Sequence, residues 1–514
     1  MKWTMTAIAA LLAVPAIAQA GGPKVTVTQG TLEGVAAYGI DSFKGIPFAT
    51  PPVANLRWRA PQPASAWSGV RVADHFAPDC MQQAVPFDDA PLGIKPSEDC
   101  LYLNVWRPAG STGKKLPVIV WIYGGGFVSG GTSPAIYDGT SFARDGVIFV
   151  SLNYRLGRFG FFGFPALTKE NADHGDLGDY AYMDQVAGLK WIKANIAAFG
   201  GDPDNVTIFG ESAGGFSMHA LLTSPDAKGL FKRVIIQSGA GRMQPRVLSH
   251  DGKDPSAETV GVNFAKSQGI AGTDAAALAA LRALPAETVR GDLSLATEGK
   301  EADTYPGEIV DGQLLVEPSN AAEAAGRVNA TEVMVGANTG DISLVHAVSK
   351  DDLFATFGPL AAKARQAYDP TGSKSLDQLN AEVGADAFMI EPARVTAQRL
   401  AAHGATVYEY RFDYTASQKK AHSPFGAPHA SELPFVFQTV EARYGETATA
   451  TDHQAARTMH AAWVAFAKGE APWTAWTPAG DAVMTFTADG AAVVQPDPLK
   501  ARMDVTQAKA EGKP

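Results

Sequence analysis

Six short apolar segments of this chain are rich in β-branched and aromatic residues, and they are hydrophobic at both odd and even positions. A strand with one exposed face alternates apolar and polar residues. The observed pattern therefore indicates strands that are covered on both faces, as in a mostly parallel sheet. The predicted strands are 118–123, 147–152, 206–209, 233–237, 332–335 and 407–412.

Between the second and third predicted strands, the pattern changes to helical spacing. A helix is predicted over 182–199 and is stopped by the sequence Gly200-Gly201-Asp202-Pro203. Strand and helix therefore alternate, which predicts the α/β class with a large, mostly parallel central sheet flanked by helices. In such folds the catalytic groups are expected at the carboxyl ends of the strands. The apolar positions of this helix are Val186, Leu189, Ile192 and Ile196.

Two alanine-rich stretches, 251–301 and 352–400, also have a helical pattern. Neither stretch is flanked by a Pro/Gly/Ser-rich linker long enough to separate an independent domain. We therefore interpret them as helical insertions that wall the active site, and we predict a single domain over 21–514.

Residues 1–20 have the pattern of a secretory signal peptide. Lys2 precedes an apolar stretch over 7–17, and Ala18-Gln19-Ala20 supplies the small residues of a cleavage site. The apolar stretch is too short for a bilayer span, which needs about 20 apolar residues. We expect an exported protein, periplasmic or secreted, that is soluble after cleavage near Ala20 and has no stable membrane insertion.

Charge and cysteine content narrow the classes of partner. The formal net charge is -10 and no cluster of lysine or arginine stands out, which argues against nucleic acid as a partner. Cys80 and Cys100 are the two cysteines, and in an exported chain they are expected to form a disulfide, with two free thiols as the alternative. Two cysteines without a nearby histidine pair offer too few ligands for a metal site. The sequence does not indicate an oligomeric state.

Ser212 is the candidate nucleophile. It lies in Gly210-Glu211-Ser212-Ala213-Gly214, directly after the predicted strand 206–209 and before a helical segment. Small flanking residues allow a sharp turn that exposes the hydroxyl, which a base must then deprotonate. This motif alone arises easily by chance, so its context carries the prediction.

A run of three glycines, 124–126, follows the predicted strand 118–123. Without Cβ atoms, the backbone N–H groups of such a loop can approach an oxyanion closely. A flexible turn is the alternative. A phosphate loop is not indicated, because Gly-Lys-Ser/Thr followed by a helix is missing.

Several ordered motifs extend these two signals along essentially the whole mature chain. They resemble the type-B carboxylesterase/lipase family, the cholinesterase-like branch of the α/β hydrolases, as a bacterial-type secreted member. The resemblance implies the α/β-hydrolase fold and a serine carboxylic-ester hydrolase that acts on small-molecule esters without a cofactor. It also implies an oxyanion hole formed by Gly125, Gly126 and the N–H of Ala213. The motifs are 43–49 with Pro51-Pro52 and 56–58, 97–106, the three glycines, 199–203 and 210–214.

The base is expected to be His429. It lies in a predicted loop beyond the strand 407–412, in Gly426-Ala427-Pro428-His429-Ala430, and it matches the histidine loop of the family. Ala430 departs from the glycine that is common after this histidine. His422 is the rival from the sequence alone, whereas His219 follows Ser212 so closely on its helix that we expect it to pack or to face solvent.

The acid is expected to be Asp341. An acid between Ser212 and His429, near a strand end, holds the imidazole tautomer and stabilises the imidazolium. Asp341 follows the predicted strand 332–335 in this way, although family members often have glutamate there. Asp311 is the alternative, and its sequence context, Val310-Asp311-Gly312, is more typical of a turn.

Three further residues are expected around the site. Glu211 precedes the nucleophile and is expected to tune the electrostatic potential there. The resemblance implies that Ser238 and Glu432 form a buried hydrogen-bonded pair behind His429.

The sequence indicates the substrate preference less clearly than it indicates the type of reaction. Phe127, Phe161, Phe162 and Phe164 are candidates for an acyl or alcohol pocket, with the hydrophobic core as an equal alternative. The segment between the two cysteines is short and has no tryptophan, so choline esters are not the expected substrate. An amidase or carbamate hydrolase with the same triad is one alternative, and a non-catalytic binding protein of the same fold is another.

Overall fold

The computed structural model describes residues 21–83 and 90–513. Within them, sixteen strands occur, and eleven of these form one central sheet. The predicted signal peptide, 1–20, lies outside the described residues. The strands are β1 Lys24–Val27, β2 Gly30–Glu33, β3 Val35–Ala37, β4 Ile40–Pro47, β5 Val70–Val72, β6 Tyr102–Pro108, β7 Leu116–Ile122, β8 Ile148–Leu152, β9 Gly201–Glu211, β10 Arg233–Gln237, β11 Arg246–Val247, β12 Ile309–Val310, β13 Glu332–Asn338, β14 Thr406–Phe412, β15 Ala482–Phe486 and β16 Ala492–Pro496.

The central sheet has the order β16-β15-β14-β13-β10-β9-β7-β8-β6-β4-β3. The seven strands from β15 to β8 are parallel, whereas the strands at both ends pair antiparallel. All six predicted strands lie in the parallel part, as their apolar residues on both faces indicate. The mostly parallel sheet expected from the sequence is therefore confirmed.

Helices cover both faces of this sheet, and the predicted helix over 182–199 appears as α4 followed by a 3-10 turn, Ile196–Phe199. The two alanine-rich stretches are helical, as predicted. The helices are α1 Thr140–Arg144, α2 Gly157–Gly160, α3 Pro165–Glu170, α4 Tyr180–Asn195, α5 Ala213–Thr223, α6 Ala257–Ser267, α7 Ala275–Arg282, α8 Ala286–Arg290, α9 Ser319–Ala324, α10 Lys350–Ala355, α11 Ala361–Tyr368, α12 Leu376–Ala385, α13 Glu391–Ala402, α14 Leu433–Val436, α15 Val440–Tyr444, α16 Ala450–Lys468 and α17 Lys500–Ala510.

The strand register determines which residues meet at one edge of the sheet. Ile122 at the end of β7 pairs with Gly210 of β9, and Glu211 pairs with Gln237 at the end of β10. Gln237 in turn pairs with Gly336 near the end of β13. The loops that carry the candidate catalytic residues therefore leave the sheet side by side, at the carboxyl edge where α/β folds bind ligands.

Two further features bear on the sequence predictions. Cys80 and Cys100 are joined by the predicted disulfide. In the described part of the chain, no helix is both long and apolar enough to cross a membrane.

Candidate active site

Ser212 sits on a sharp turn between β9 and α5. Its φ of 55° and ψ of -123° lie in a region that non-glycine residues seldom adopt, which costs about 1–3 kcal/mol. The turn also requires close backbone approach, since a Cβ on Gly214 would lie 2.1 Å from the Ile122 carbonyl oxygen. The predicted strand, turn and helix are thus present, with the serine side chain part-exposed at the carboxyl edge of the sheet.

The three-glycine loop follows β7 directly and lies beside this turn. Gly125 has a φ of 100°, and a Cβ there would lie 2.3 Å from the Ser129 carbonyl oxygen, so only glycine fits. Within the described part of the chain, the N–H groups of Gly125, Gly126 and Ala213 donate to no protein acceptor. All three residues line the same cavity as Ser212, so these donors are available to a ligand.

His429 and Asp341 are brought together by their loops. Gly340 and Pro428 form a parallel bridge, and the Gly340 N–H donates to the Ala427 carbonyl over 2.9 Å. This pairing places the two side chains next to each other, with His429 Nδ1 2.6 Å from Asp341 Oδ1. The bond gives the imidazole a fixed orientation and a fixed tautomer.

Asp341 is buried but well supplied with donors. Its Oδ2 accepts hydrogen bonds from the Ser238 hydroxyl at 2.7 Å and from the Asn338 N–H at 3.1 Å, and its Oδ1 accepts from the Ile342 N–H at 2.8 Å. Burial alone would raise the pKa of Asp341, but the nearby His429 and these donors outweigh it and hold the pKa below its ordinary value. Asp341 is therefore a carboxylate at neutral pH.

The expected hydrogen bond between Ser238 and Glu432 is wrong. Both side chains are buried near His429, as predicted, but Ser238 donates to Asp341. Glu432 accepts instead from Gln237 Nε2 at 2.9 Å and from Asn338 Nδ2 at 2.7 Å. The shorter aspartate at position 341 is the group that Ser238 reaches, which leaves Glu432 to bind the amides at the ends of β10 and β13.

Asn338 is a residue of the site that sequence reasoning missed. Its amide donates to Glu432 and also to the Pro428 carbonyl over 2.6 Å, and so it ties the end of β13 to the loop of His429. The available signal was its place just beyond the predicted strand 332–335 and three positions before Asp341; in the structure it is the last residue of β13.

Glu211 lies on the other side of the imidazole. Its Oε1 is 3.1 Å from His429 Nε2. Burial raises the pKa of Glu211 to about 8, and the positive charge of a protonated His429 opposes that shift. Burial disfavours the imidazolium of His429, but the adjoining carboxyls of Glu211 and Asp341 outweigh burial and raise its pKa.

A cavity of about 910 Å³ opens above these groups. Its size is that of a site for a small organic molecule, and its walls are mainly apolar. The expected wall from the helical insertions is present in part, since Asp254 and Leu295 come from the first stretch and Phe388 and Met389 from the second. The remaining apolar wall includes Phe127, Ile136, Phe216, Met243, Ile342, Leu344 and Leu433.

The other candidate residues lie elsewhere. Of the four phenylalanines, Phe127 lines the cavity, whereas the other three are buried in the core, where Phe162 stacks on Trp58. His422 is exposed in a 3-10 turn, and the Asp311 carboxylate accepts N–H bonds from its own turn. His219 packs in the interior, as expected. In the residues that the structure describes, no group of three or more His, Cys, Asp or Glu side chains is arranged to hold a metal ion.

The chain is similar to known esterases over most of its length. The model of the carboxylesterase family matches residues 21–495. The chain is 34% identical over 471 residues to para-nitrobenzyl esterase of Bacillus subtilis (strain 168), which covers 88% of this chain and 90% of that protein. It is also 34% identical over 505 residues to fumonisin B1 esterase of Sphingopyxis macrogoltabida, covering 92% of this chain and 88% of that one.

Two further matches extend to a human protein and to a solved structure. Cocaine esterase of Homo sapiens is 33% identical over 473 residues, covering 84% of this chain and 80% of that protein. A solved structure of PNB esterase matches with a TM-score of 0.79 at 32% identity, covering 94% of this chain and 99% of that one. The chain therefore belongs to the carboxylesterase family, as a type-B carboxylic-ester hydrolase.

Proposed function

We propose that Ser212, His429 and Asp341 are the catalytic triad of this esterase and that Gly125, Gly126 and Ala213 form its oxyanion hole. The observation that carries the proposal is the 2.6 Å bond from His429 Nδ1 to Asp341, which leaves Nε2 on the other side of the ring, 3.1 Å from Glu211, the residue that precedes Ser212. Unpaired N–H groups and the nucleophile turn share one cavity, as acyl transfer requires.

In the first half of the reaction, Ser212 Oγ forms a bond to the ester carbonyl carbon while its proton passes to His429 Nε2. The carbonyl oxygen becomes an oxyanion that accepts hydrogen bonds from the three N–H groups. His429 then gives the proton to the leaving alcohol as the ester C–O bond breaks. The product is an acyl-enzyme on Ser212.

In the second half, a water molecule replaces the alcohol. His429 takes a proton from the water, whose oxygen attacks the acyl carbon, and then returns the proton to Ser212 as the acid leaves. Asp341 stays ionised throughout and stabilises the imidazolium. Ser238 and Asn338 position Asp341 through the hydrogen bonds that they donate to it.

Chemical labelling and turnover test this assignment. We expect an organophosphonate probe to modify Ser212 and the wild-type protein to hydrolyse short-chain p-nitrophenyl esters. Para-nitrobenzyl esters are a further reasonable substrate, since a relative is named for them and the apolar cavity is large enough. Ser212→Ala should abolish both signals, whereas the exposed Ser373→Ala should keep them. Turnover that survives in Ser212→Ala would exclude this mechanism.

We further propose that the protein is exported. The leader-like pattern of residues 1–20 supports this, and so does the disulfide between Cys80 and Cys100, which is typical of oxidising compartments. N-terminal sequencing of protein from the native host should find a mature chain that begins near Gly21. An intact N-terminus in the cytoplasmic fraction would contradict export.

A further inference from the structure

A small side pocket of about 20 Å³ adjoins the large cavity, beside helix α5. Phe216, Met243, Pro245 and Glu308 line both spaces. A water molecule needs about 10–15 Å³ of such volume, so the side pocket holds a single group of that size. A substituent of a bound substrate can therefore enter it from the large cavity.

His219 lines this pocket and carries a ring nitrogen without a partner in the described part of the chain. The side chain is buried, and its Nδ1 lies 2.5 Å from Oε1 of Glu323 in α9. Its Nε2 is buried and has no hydrogen-bond partner among the described residues. Leaving such an atom unpaired costs about 1–3 kcal/mol, so Nε2 marks a place for a bound group. In the neutral ring the Nδ1 proton points to the carboxylate, and Nε2 is then an acceptor.

Glu308 supplies a second acceptor. Its Oε1 accepts a hydrogen bond from the Tyr182 hydroxyl, which leaves Oε2 for a ligand. Burial raises the pKa of Glu308, and the hydrogen bond from Tyr182 and the nearby His219 oppose that shift. A cationic ligand would favour the ionised carboxylate.

Among the described residues, no lysine or arginine pairs with Glu308. Arg246 lies on the same wall of the cavity, but its guanidinium donates to the carbonyls of Pro255 and Ala302. In the part of the chain that the structure describes, the Glu308 carboxylate therefore has no lysine or arginine to pair with, and a cationic ligand would supply that charge.

The donor count selects the ligand. A group that binds between two acceptors needs two donors; a hydroxyl has only one, and a water molecule has two but no charge to complement Glu308. A quaternary ammonium has none and is too large for about 20 Å³. A primary ammonium has three donors, is close to water in size and carries the charge that complements Glu308.

We propose that the side pocket is a subsite for a primary ammonium group of the substrate, held between His219 Nε2 and the Glu308 carboxylate. The proposal rests on the ester hydrolase function proposed above. It assigns to this chain a preference for esters that carry a primary amine within reach of the side pocket.

Direct binding to Ser212→Ala protein tests the subsite without any need for turnover. Calorimetry at about pH 8 compares hexylammonium, hexanol and hexyltrimethylammonium, which share one chain and differ in the polar end. We expect hexylammonium to bind about tenfold more tightly than either of the others. Adding Glu308→Gln should remove that preference while still accepting the Tyr182 hydrogen bond.

Asp254→Asn is the matched control, because it removes one negative charge from the exposed rim of the same cavity. It should keep the preference for hexylammonium. Equal binding of the three ligands, or a preference that survives Glu308→Gln, would overturn the subsite. Because binding is measured without turnover, neither result depends on whether Ser212 is the nucleophile, which the turnover assay decides separately.

Discussion

Two histidines of this protein make the same bond to a carboxylate, and yet they lie in different surroundings. His429 Nδ1 is 2.6 Å from Asp341, and His219 Nδ1 is 2.5 Å from Glu323. The His429 side chain is 21% exposed and faces a large cavity, whereas that of His219 is 6% exposed and faces a pocket of the size of one water molecule. The carboxylate therefore fixes the tautomer in both pairs but does not make a catalytic base. What Nε2 can reach decides that role.

The largest effect is expected when the carboxylate of the His429–Asp341 pair is replaced by an amide, and the same change in the His219–Glu323 pair should have little effect. Asp341→Asn should lower kcat for a neutral p-nitrophenyl ester by about 10⁴-fold, because the amide favours the wrong tautomer of His429. The equivalent change, Glu323→Gln, should stay within about threefold, since Glu323 does not contact the cavity that holds Ser212. Similar losses in both variants would mean that the two pairs do not differ in function.

The second effect concerns the oxyanion donors, which share a cavity with the His429–Asp341 pair and have no counterpart at the His219–Glu323 pair. Gly125→Ala should lower kcat by about 10²–10³-fold, because the Cβ would displace the loop of oxyanion donors. Gly113→Ala is the control for backbone strain, since Gly113 also has a positive φ but an added Cβ meets no atom within 4 Å. Steady-state kinetics should show no change in that variant, and a comparable loss there would point to strain alone.

A smaller effect is expected from the hydroxyl that supports Asp341. Ser238→Ala should lower kcat about tenfold with little change in KM. The reason is that Asp341, which stabilises the imidazolium of His429, loses one of its hydrogen-bond donors. Ser431→Ala serves for comparison, since Ser431 donates to the Pro428 carbonyl in the loop of His429 and not to Asp341. If Ser431→Ala costs as much, the effect belongs to the loop and not to Asp341.

The last effect concerns the pH dependence of stability and leaves kcat aside. The pKa of Glu211 is raised from 4.5 to about 8 in the folded protein, so folding favours its protonated form, and stability falls as the pH rises from about 4.5 to about 8. Glu211→Gln should remove this loss and gain about 1–3 kcal/mol relative to wild type between pH 5 and pH 8. Urea unfolding at the two pH values measures the difference. Parallel pH profiles would show that Glu211 is not the responsible group.

Much of the fold and of the site was accessible from the sequence, because both depend on local patterns. The six apolar strands all lie in the parallel sheet, and Ser212 is at the turn that its small neighbours predict. Asp341 could be chosen because it follows a strand end within a few residues. These features need only short-range information.

The hydrogen-bond partners of buried polar side chains could not be predicted from local sequence patterns. Whether Ser238 reaches Asp341 or Glu432 depends on side-chain length and on the register of two strands, to within about an ångström. The side pocket brings together Glu308 and His219, which are far apart in sequence, and Glu308 lies outside both predicted insertions. Such contacts are set by tertiary packing, which a one-dimensional pattern does not record.

The backbone bridge between Gly340 and Pro428 holds the acid and base loops together independently of the segments that connect them in sequence. It fastens the acid loop to the base loop by their main chains, although Asp341 and His429 are 88 positions apart in the sequence. Helices α10 to α12 pack mainly in a cluster of their own, so they can be lengthened, shortened or exchanged without realigning the charge pair, whereas α13 packs on β13 and β14. For protein engineers, this makes 343–385 a region that can be changed while the catalytic machinery is left untouched.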